Sequence, residues 1–461
     1  MNRMEELQEL LNELEEPVPA LEDTVNRARR RKAKRNRRIT ALVSVAAVFV
    51  LFVGLVNFST PVAYACSKIP IIKELAEAVT FSPSLSDAVE NEFVQPMNLY
   101  KEDGGVSATV EYLIVDQKQV NVFFRLDSEH YAGLGTDPKV KSADGSSPTP
   151  CAYSLSEWDV ENGELRCLTI DFMDEDVPQS LLITMDIYDR GDVAAGEPME
   201  VAAPENISDD MFSDMEEPRM YVAYFEFLLE FDPLFTAAGK VFDINETIEM
   251  DGQQITFTQM EVYPTHLRVN VEESGKNTAW LKSLDFYIET DWGMQFDTIS
   301  NGISATGSED GKSMASFRAD SSYFYEAEHL EIVITGVEWL NKDMEKMYLN
   351  LETGETGQLP EGVRFKAATK QAEGWILEFE AQYRRENHHH QLFSSEFYDA
   401  AGERYEINSW SSTFGEENEN GEISYFIEEF PLKDYHETEV WLCPHYSHMW
   451  TPEEPVRIEV K

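Results

Sequence analysis

Cysteine is scarce in these 461 residues. The four that occur, Cys66, Cys151, Cys167 and Cys443, form no C-x-x-C pair, which argues against a disulfide-framed scaffold and a thioredoxin-type redox centre. Cys151 and Cys167 either bridge in an oxidising compartment or remain as two buried thiols, and the sequence leaves both open. Positive charge is scarce as well: 37 Lys and Arg stand against 86 Asp and Glu, a net charge of -49. Beyond residue 38 the imbalance is 27 basic against 78 acidic residues. Such an acidic surface repels phosphate backbones, so direct nucleic-acid binding by that part is not expected. Catalytic signatures are missing too. There is no G-x-S-x-G, no S-x-x-K with matching companions, no H-E-x-x-H and no phosphate loop of the G-x-x-x-x-G-K-[ST] type. The expectation is a protein that is not an enzyme and uses no cofactor.

Long apolar runs are also few, and the prominent one is ITALVSVAAVFVLFVGLVNF, from Ile39 to Phe58. Twenty residues of helix reach about 30 Å, the thickness of a bilayer's hydrocarbon core. RARRRKAKRNRR precedes it, and the other end reads STPVAYACSKIP. The positive-inside rule therefore keeps residues 1–38 in the cytoplasm, touching anionic lipid, and sends the C-terminal part outside the cell membrane. Cleavage as a signal peptide, at the Ala63-Tyr64-Ala65 box before Cys66, is the competing reading. Against it stand a 38-residue leader and an apolar run longer than a signal's core.

The leader opens with MEELQELLNELEE, which sets Leu7, Leu10, Leu11 and Leu14 on one face of a short acidic helix ended by Pro17 and Pro19. A helix this short is marginal alone, so the leucine stripe is read as a docking face for a protein partner, with a weakly ordered solvated leader as the alternative. After the span, SKIPIIKELAEAV and SPSLSDAVENEFV predict two short helices, a collar over residues 59–95.

Beyond Gln95 the texture turns to alternating apolar and polar residues with turns. It repeats. DGGVSATVEYLIVDQKQVNVFFRLDSE from Asp103, DGQQITFTQMEVYPTHLRVNVEESGK from Asp251 and EGVRFKAATKQAEGWILEFEAQYRR from Glu361 each begin with an acidic residue and Gly, then run strand, turn, strand. Each is followed by a similar late pair of strands, near residues 168–189, 317–339 and 425–446. The fold class expected is mainly β: tandem immunoglobulin-like β-sandwich domains over residues 96–238, 239–357 and 358–461, outside a single transmembrane helix.

AYACSKIPIIKELAEAV, DAVENEFVQPM, TVEYLIVDQKQVNVFFRL and FDTISNGISATGSEDGKSMASFRADSSYF, behind one span and a basic run, resemble a family of single-pass membrane proteins of Gram-positive bacteria. Its ectodomain is a domain of unknown function, and its members are described as anti-sigma-factor-like because they accompany extracytoplasmic-function sigma factors. The resemblance implies a cytoplasmic sigma factor as partner. Better-understood anti-sigma factors often carry an H-x-x-x-C-x-x-C zinc motif, whereas residues 1–38 contain neither Cys nor His. Any hold on a sigma factor here therefore falls to Leu7, Leu10, Leu11 and Leu14 and to the helix over 21–30.

Other constellations are weaker. His388, His389 and His390, with Cys443, His445 and His448, would suit zinc or copper if their loops met, but their spacing matches no structural zinc signature, and no metal is expected. EENENGEIS lacks the closing Glu of a calcium loop and reads as a hairpin turn. MDEDV at 173–177 reads as a solvated acidic turn and NGISATGSEDGK at 301–312 as a long turn. The leading function is thus sequestration of a sigma factor by the leader, governed by an ectodomain that meets an unknown extracellular ligand or wall component. A surface stalk or adhesion module is the alternative, and a metal-dependent surface hydrolase a remote third.

Overall fold

The computed structural model describes residues 71–145, 151–156, 160–173, 175–191, 219–233, 236–299, 303–308, 310–383, 391–415 and 424–461. The leader with Leu7, Leu10, Leu11 and Leu14, the apolar run 39–58, the three histidines 388–390 and the turn at 416–423 lie outside those residues. Among the described residues no helix is long and apolar enough to cross a membrane. The chain divides into two compact parts, Met1–Glu74 and Leu75–Lys461, and every described strand belongs to the second.

Two short helices come first, α1 (Ile71–Ala78) and α2 (Pro83–Glu90). Ser82 caps α2, its Oγ accepting from Leu85 N at 3.3 Å, and Pro83 sits where a missing N–H costs nothing. Leu75, Val79, Leu85, Ala88 and Val89 are buried at helical spacing.

The rest is mainly β, arranged as three double sheets. The first contains β1 (Gln95–Asp103), β2 (Val106–Asp116), β3 (Gln119–Asp127), β4 (Leu134–Ser142), β5 (Ala152–Ser156), β6 (Leu165–Asp171), β7 (Ser180–Asp189) and β8 (Tyr221–Glu230). One layer runs β1-β2-β3-β6-β5, the other β4-β7-β8. Strict alternation fills the space between them. Leu181, Ile183, Met185 and Ile187 of β7 and Ala223, Phe225, Phe227 and Leu229 of β8 meet Val120, Val122 and Phe124 of β3 in one core. A short β9 (Thr236–Ala237) then pairs parallel with the end of β2.

The second double sheet holds β10 (Lys240–Met250), β11 (Gln253–Val262), β12 (Leu267–Glu273), β13 (Ala279–Thr290), β14 (Gln295–Asp297), β15 (Ala305–Gly307), β16 (Met314–Ala319) and β17 (Leu330–Asn341). Its layers are β10-β11-β12-β16-β15 and β14-β13-β17. The third holds β18 (Met347–Asn350), β19 (Val363–Gln371), β20 (Gly374–Gln382), β21 (Phe393–Tyr398), β22 (Arg404–Glu406), β23 (Ser411–Phe414), β24 (Tyr425–Lys433) and β25 (Glu439–Pro444), layered β19-β20-β24-β23 and β18-β25-β21-β22.

The three repeated segments take equivalent places. They form the hairpins β2–β3, β11–β12 and β19–β20, and the later strands β6, β16 and β24 pair antiparallel beside each hairpin. The acidic-Gly pairs make turns. Gly104 and Gly105, and likewise Asp251 and Gly252, have positive φ between strands paired Asp103↔Val106 and Met250↔Gln253, which is the two-residue turn that matches strand twist. A Cβ on Gly104 would also lie 1.8 Å from Val222 O.

Chain order and spatial order then part company. β26 (His448–Trp450) and β27 (Val456–Glu459) leave the third double sheet and pair with β17 of the second, where Ile458 is fully buried. β18 goes the other way and pairs with β25 of the third. A division of the sequence at 357/358 separates these strands from the sheets they complete, because a strand's neighbour is chosen by the surface left open and not by chain position.

Cys151 and Cys167 are free thiols. Cys167 stands opposite Ser156, whereas Cys151 adjoins Ala152, paired with Asp171 at the far end of the same ladder. That offset is about 15 Å, well beyond a disulfide's reach.

Candidate functional site

The contact between the first and second double sheets is built around buried charge. Asp116, Asp171, His266, Arg268 and Arg318 are all at most 2% exposed. Asp116 ends β2 and closes its turn: Oδ1 accepts from Lys118 N at 2.9 Å and Gln119 N at 2.8 Å. Its Oδ2 faces the other double sheet, accepting from Thr265 N at 3.1 Å and Thr265 Oγ1 at 2.6 Å. One carboxylate thus ties two turns together. Burial pushes its pKa up, and the four donors pull it back.

Asp171, at the end of β6, receives two guanidinium groups. Arg318 of β16 straddles it, Nη2 to Oδ1 at 3.2 Å and Nε to Oδ2 at 3.3 Å. Arg268 of β12 reaches Oδ2 with Nη2 at 3.0 Å. The fork geometry suits bidentate carboxylate binding, and Arg268 and Arg318 balance Asp116 and Asp171. Arg318 Nη1 also donates to Ser316 Oγ at 2.7 Å, and Arg268 Nη1 to Met173 O at 3.1 Å.

His266 links the halves. Arg268 Nε donates to His266 Nε2 at 2.8 Å, and because a guanidinium has no acceptor, Nε2 is the unprotonated nitrogen. Nδ1 therefore carries the proton and donates to Thr265 Oγ1 at 2.9 Å, while that hydroxyl donates onward to Asp116. The relay runs one way, Arg268 to His266 to Thr265 to Asp116. Burial first, then the charges of Arg268 and Arg318, holds the imidazole well below its ordinary pKa, so it is neutral. Tyr263 stacks on it, ring centroids 5.3 Å apart.

Two further contacts surround this seam. MDEDV, expected as a solvated turn, is half used here: Asp176 holds Gln117 at 2.8 Å and Lys118 at 3.1 Å, beside the Met173 carbonyl. Helix α2 clasps the second double sheet as well. Ser84 Oγ donates to Asp320 Oδ1 and accepts from Ser321 N, both at 2.8 Å, and Tyr325 donates to Asp87 at 3.1 Å. Burial raises both carboxyls.

The sequence-level candidates fall elsewhere. His448 accepts or donates at Asp251 (2.8 Å) and Ser447 (2.9 Å), pinning β26 to the β10–β11 turn, while Cys443 lies on β25 of the third double sheet. Among the described residues no group of His, Cys, Asp and Glu is arranged to hold a metal ion. Residues 305–308 and 310–312 belong to the β15–β16 hairpin, where Asp310 accepts from Ser308 and Lys312 N. None of the seam residues stood out by motif. The available signal was a histidine in the β11–β12 turn and two arginines at outward strand positions in a chain short of positive charge.

Two family models match. One is a domain of unknown function, DUF4179, over residues 33–128, which takes in the second half of the basic run, the apolar run, both short helices and β1 to β3. The other is a family of unknown function, DUF5643, over residues 239–366, beginning at the first strand of the second double sheet. The chain thus carries regions similar to two families whose functions are unknown. No curated protein matches it. Among solved structures, the conserved domain protein from Bacillus anthracis is similar with a TM-score of 0.37 and 15% identity, over 57% of this chain and 84% of that one.

Proposed function

We propose that this chain is a membrane-anchored signalling protein resembling an anti-sigma factor. Its tandem immunoglobulin-like β-sandwiches stand outside a single transmembrane helix over 39–58. Its leader holds a cytoplasmic sigma factor through Leu7, Leu10, Leu11 and Leu14. No catalytic step and no cofactor enter the scheme. The apolar run with its basic flank supports the topology, and the family resemblance supports the partner.

The observation that carries the signalling half is the clasp on α2. This helix follows the apolar run closely in sequence, and Ser84 and Asp87 fasten it to Asp320, Ser321 and Tyr325 of the second double sheet. A ligand that shifts the second double sheet therefore acts directly on α2, which residues 59–82 join to the apolar run in sequence. Three double sheets joined through a buried seam and returning strands also suit a stiff surface stalk, which is the second reading.

The test is co-purification from membranes with the full chain as bait. A sigma factor is expected with the parent chain, and less than one tenth as much with Leu10→Glu, since a charge in an apolar groove costs several kcal/mol. Failure of the parent chain to retain any sigma factor would leave the stalk reading standing.

A further inference from the structure

The outer face of the β4-β7-β8 layer carries a set of residues that the core does not need. Since Leu181, Ile183, Met185 and Ile187 point inward, Leu182, Thr184, Asp186 and Tyr188 point out. The register then sets Tyr188 beside Tyr221 and Gly135, and Asp186 beside Tyr224 and Asp137. Tyr221 is 56% exposed and Tyr224 44%, which is unusual for rings on a strand.

These rings are held in place. Tyr221 donates its hydroxyl to Asp137 Oδ2 across the sheet at 2.7 Å, and Tyr224 donates to Glu226 at 2.6 Å. Arg219 pairs with the other oxygen of Asp137 and lies 4.7 Å from the centre of the Tyr188 ring. Tyr188 itself occupies the space where a side chain on Gly135 would be, its Cζ being 2.3 Å from that Cβ position. Lys139 and Asp186 pair at 2.8 Å alongside. The face is therefore a preorganised alternation of ring faces and neutralised hydrogen-bonding pairs. An open groove of about 530 Å³ adjoins it, lined among others by Tyr100, Glu102 and His130, and by Asp103, which accepts from Tyr224 N at 2.9 Å.

We propose that this face binds a neutral polysaccharide. A pyranose ring offers C–H groups on its faces, which suit the electron-rich face of tyrosine, and hydroxyls around its rim, which suit carboxylate and guanidinium partners. Tyr221 and Tyr224 stand opposite Tyr188 and Asp186, two residues apart on β7, because a bulge in β8 brings both rings to the same face. Their spacing of about 7 Å along the sheet lies within the length of one disaccharide. Charge selects among the polymers. The chain's -49 opposes nucleic acid and other polyanions, and the two cations named here, Lys139 and Arg219, are already paired with Asp186 and Asp137. A partner helix would need an unbroken apolar groove, whereas Asp137, Asp186 and Glu226 interrupt this one. The assignment is independent of what the leader holds.

Isothermal titration of the detergent-purified full chain with chitohexaose, and separately with cellohexaose, tests it. Saturable binding of at least one oligosaccharide is expected. Tyr224→Ala and Tyr221→Ala should each weaken it about tenfold, while Tyr224→Phe, which keeps the ring, should stay within about twofold. Unchanged thermal unfolding of each variant shows that the fold survives. Binding of neither sugar by the parent chain overturns the proposal. So do equal affinities for the parent and both alanine variants, or binding of polygalacturonate or lipid vesicles in place of the neutral sugars.

Discussion

Asp171 and Glu428 are both carboxylates at 0% exposure, one between two double sheets and one inside the third. Asp171 meets two guanidinium groups, those of Arg268 and Arg318. Glu428 is placed on β24 between the inward-facing Phe426 and Phe430, directly opposite Phe379. Among the described residues its hydrogen-bond donor is one main-chain amide, Leu392 N, at 3.0 and 3.2 Å from its two oxygens. Burial pushes its pKa from 4.5 up to about 7. The first arrangement pairs its charge and the second avoids having one. A buried ion that is matched fixes how two bodies meet, while an unmatched carboxyl makes its surroundings answer to pH.

Asp171→Ala should have the largest effect. It strands Arg268 and Arg318 in a site that excludes water, and breaking such a pair costs about 3–5 kcal/mol. Denaturant unfolding of the full chain should show that loss. Adding Arg318→Ala should cost less than the two single losses combined, because the two residues share one contact. Additive losses would mean that the seam is two independent contacts and not one network.

Glu428→Gln comes next. A shift from 4.5 to about 7 corresponds to roughly 3 kcal/mol, and the sign follows from proton counting. Between those values the folded chain holds a proton that the unfolded chain has lost, so stability falls as pH rises through that window. The glutamine variant should therefore be more stable than the parent by about 3 kcal/mol at pH 8 and indistinguishable from it near pH 4.5. A constant difference at both pH values would mean that the carboxyl's proton plays no part in it.

How much of this was legible follows the same divide. Alternation and the acidic-Gly turns mark out the three hairpins, because those signals are local: Asp251 and Gly252 need only each other and their strands. The two short helices are likewise readable from the spacing of Leu75 and Val79 and of Leu85, Ala88 and Val89. The seam is not. Asp171 and Arg318 are 147 residues apart, and each occupies an outward position that in an isolated sheet would face water. Their burial comes from docking one double sheet on another, which no window of sequence contains. The return of β27 to β17 is hidden for the same reason, since nothing within VRIE specifies which strand it will pair with. Glu428 was invisible differently: alternation places it inward with Phe426 and Phe430, but an acidic chain offers so many glutamates that one on the wrong face attracts no notice.

The smallest effect expected is also the one that sets the two regions directly against each other. His266 is neutral in the fold because burial and two arginines hold its pKa well below 6.5. On acidification below 6.5 the unfolded chain gains a proton that the folded chain refuses, so the seam should lose about 1.4 kcal/mol per pH unit. Glu428 has the opposite sign over the same interval. Hydrogen exchange followed residue by residue at pH 7.5 and 5.5, corrected for the intrinsic rate, separates them. The Leu392 amide should become better protected at the lower pH, and the amides of Thr265 and Gln119, which donate to Asp116, less so. His266→Gln keeps a donor and an acceptor without a titrating group, and should flatten the second response while leaving the first intact. Parallel changes at both places would mean that the three double sheets open as one unit, and the contrast between Asp171 and Glu428 would have no counterpart in solution.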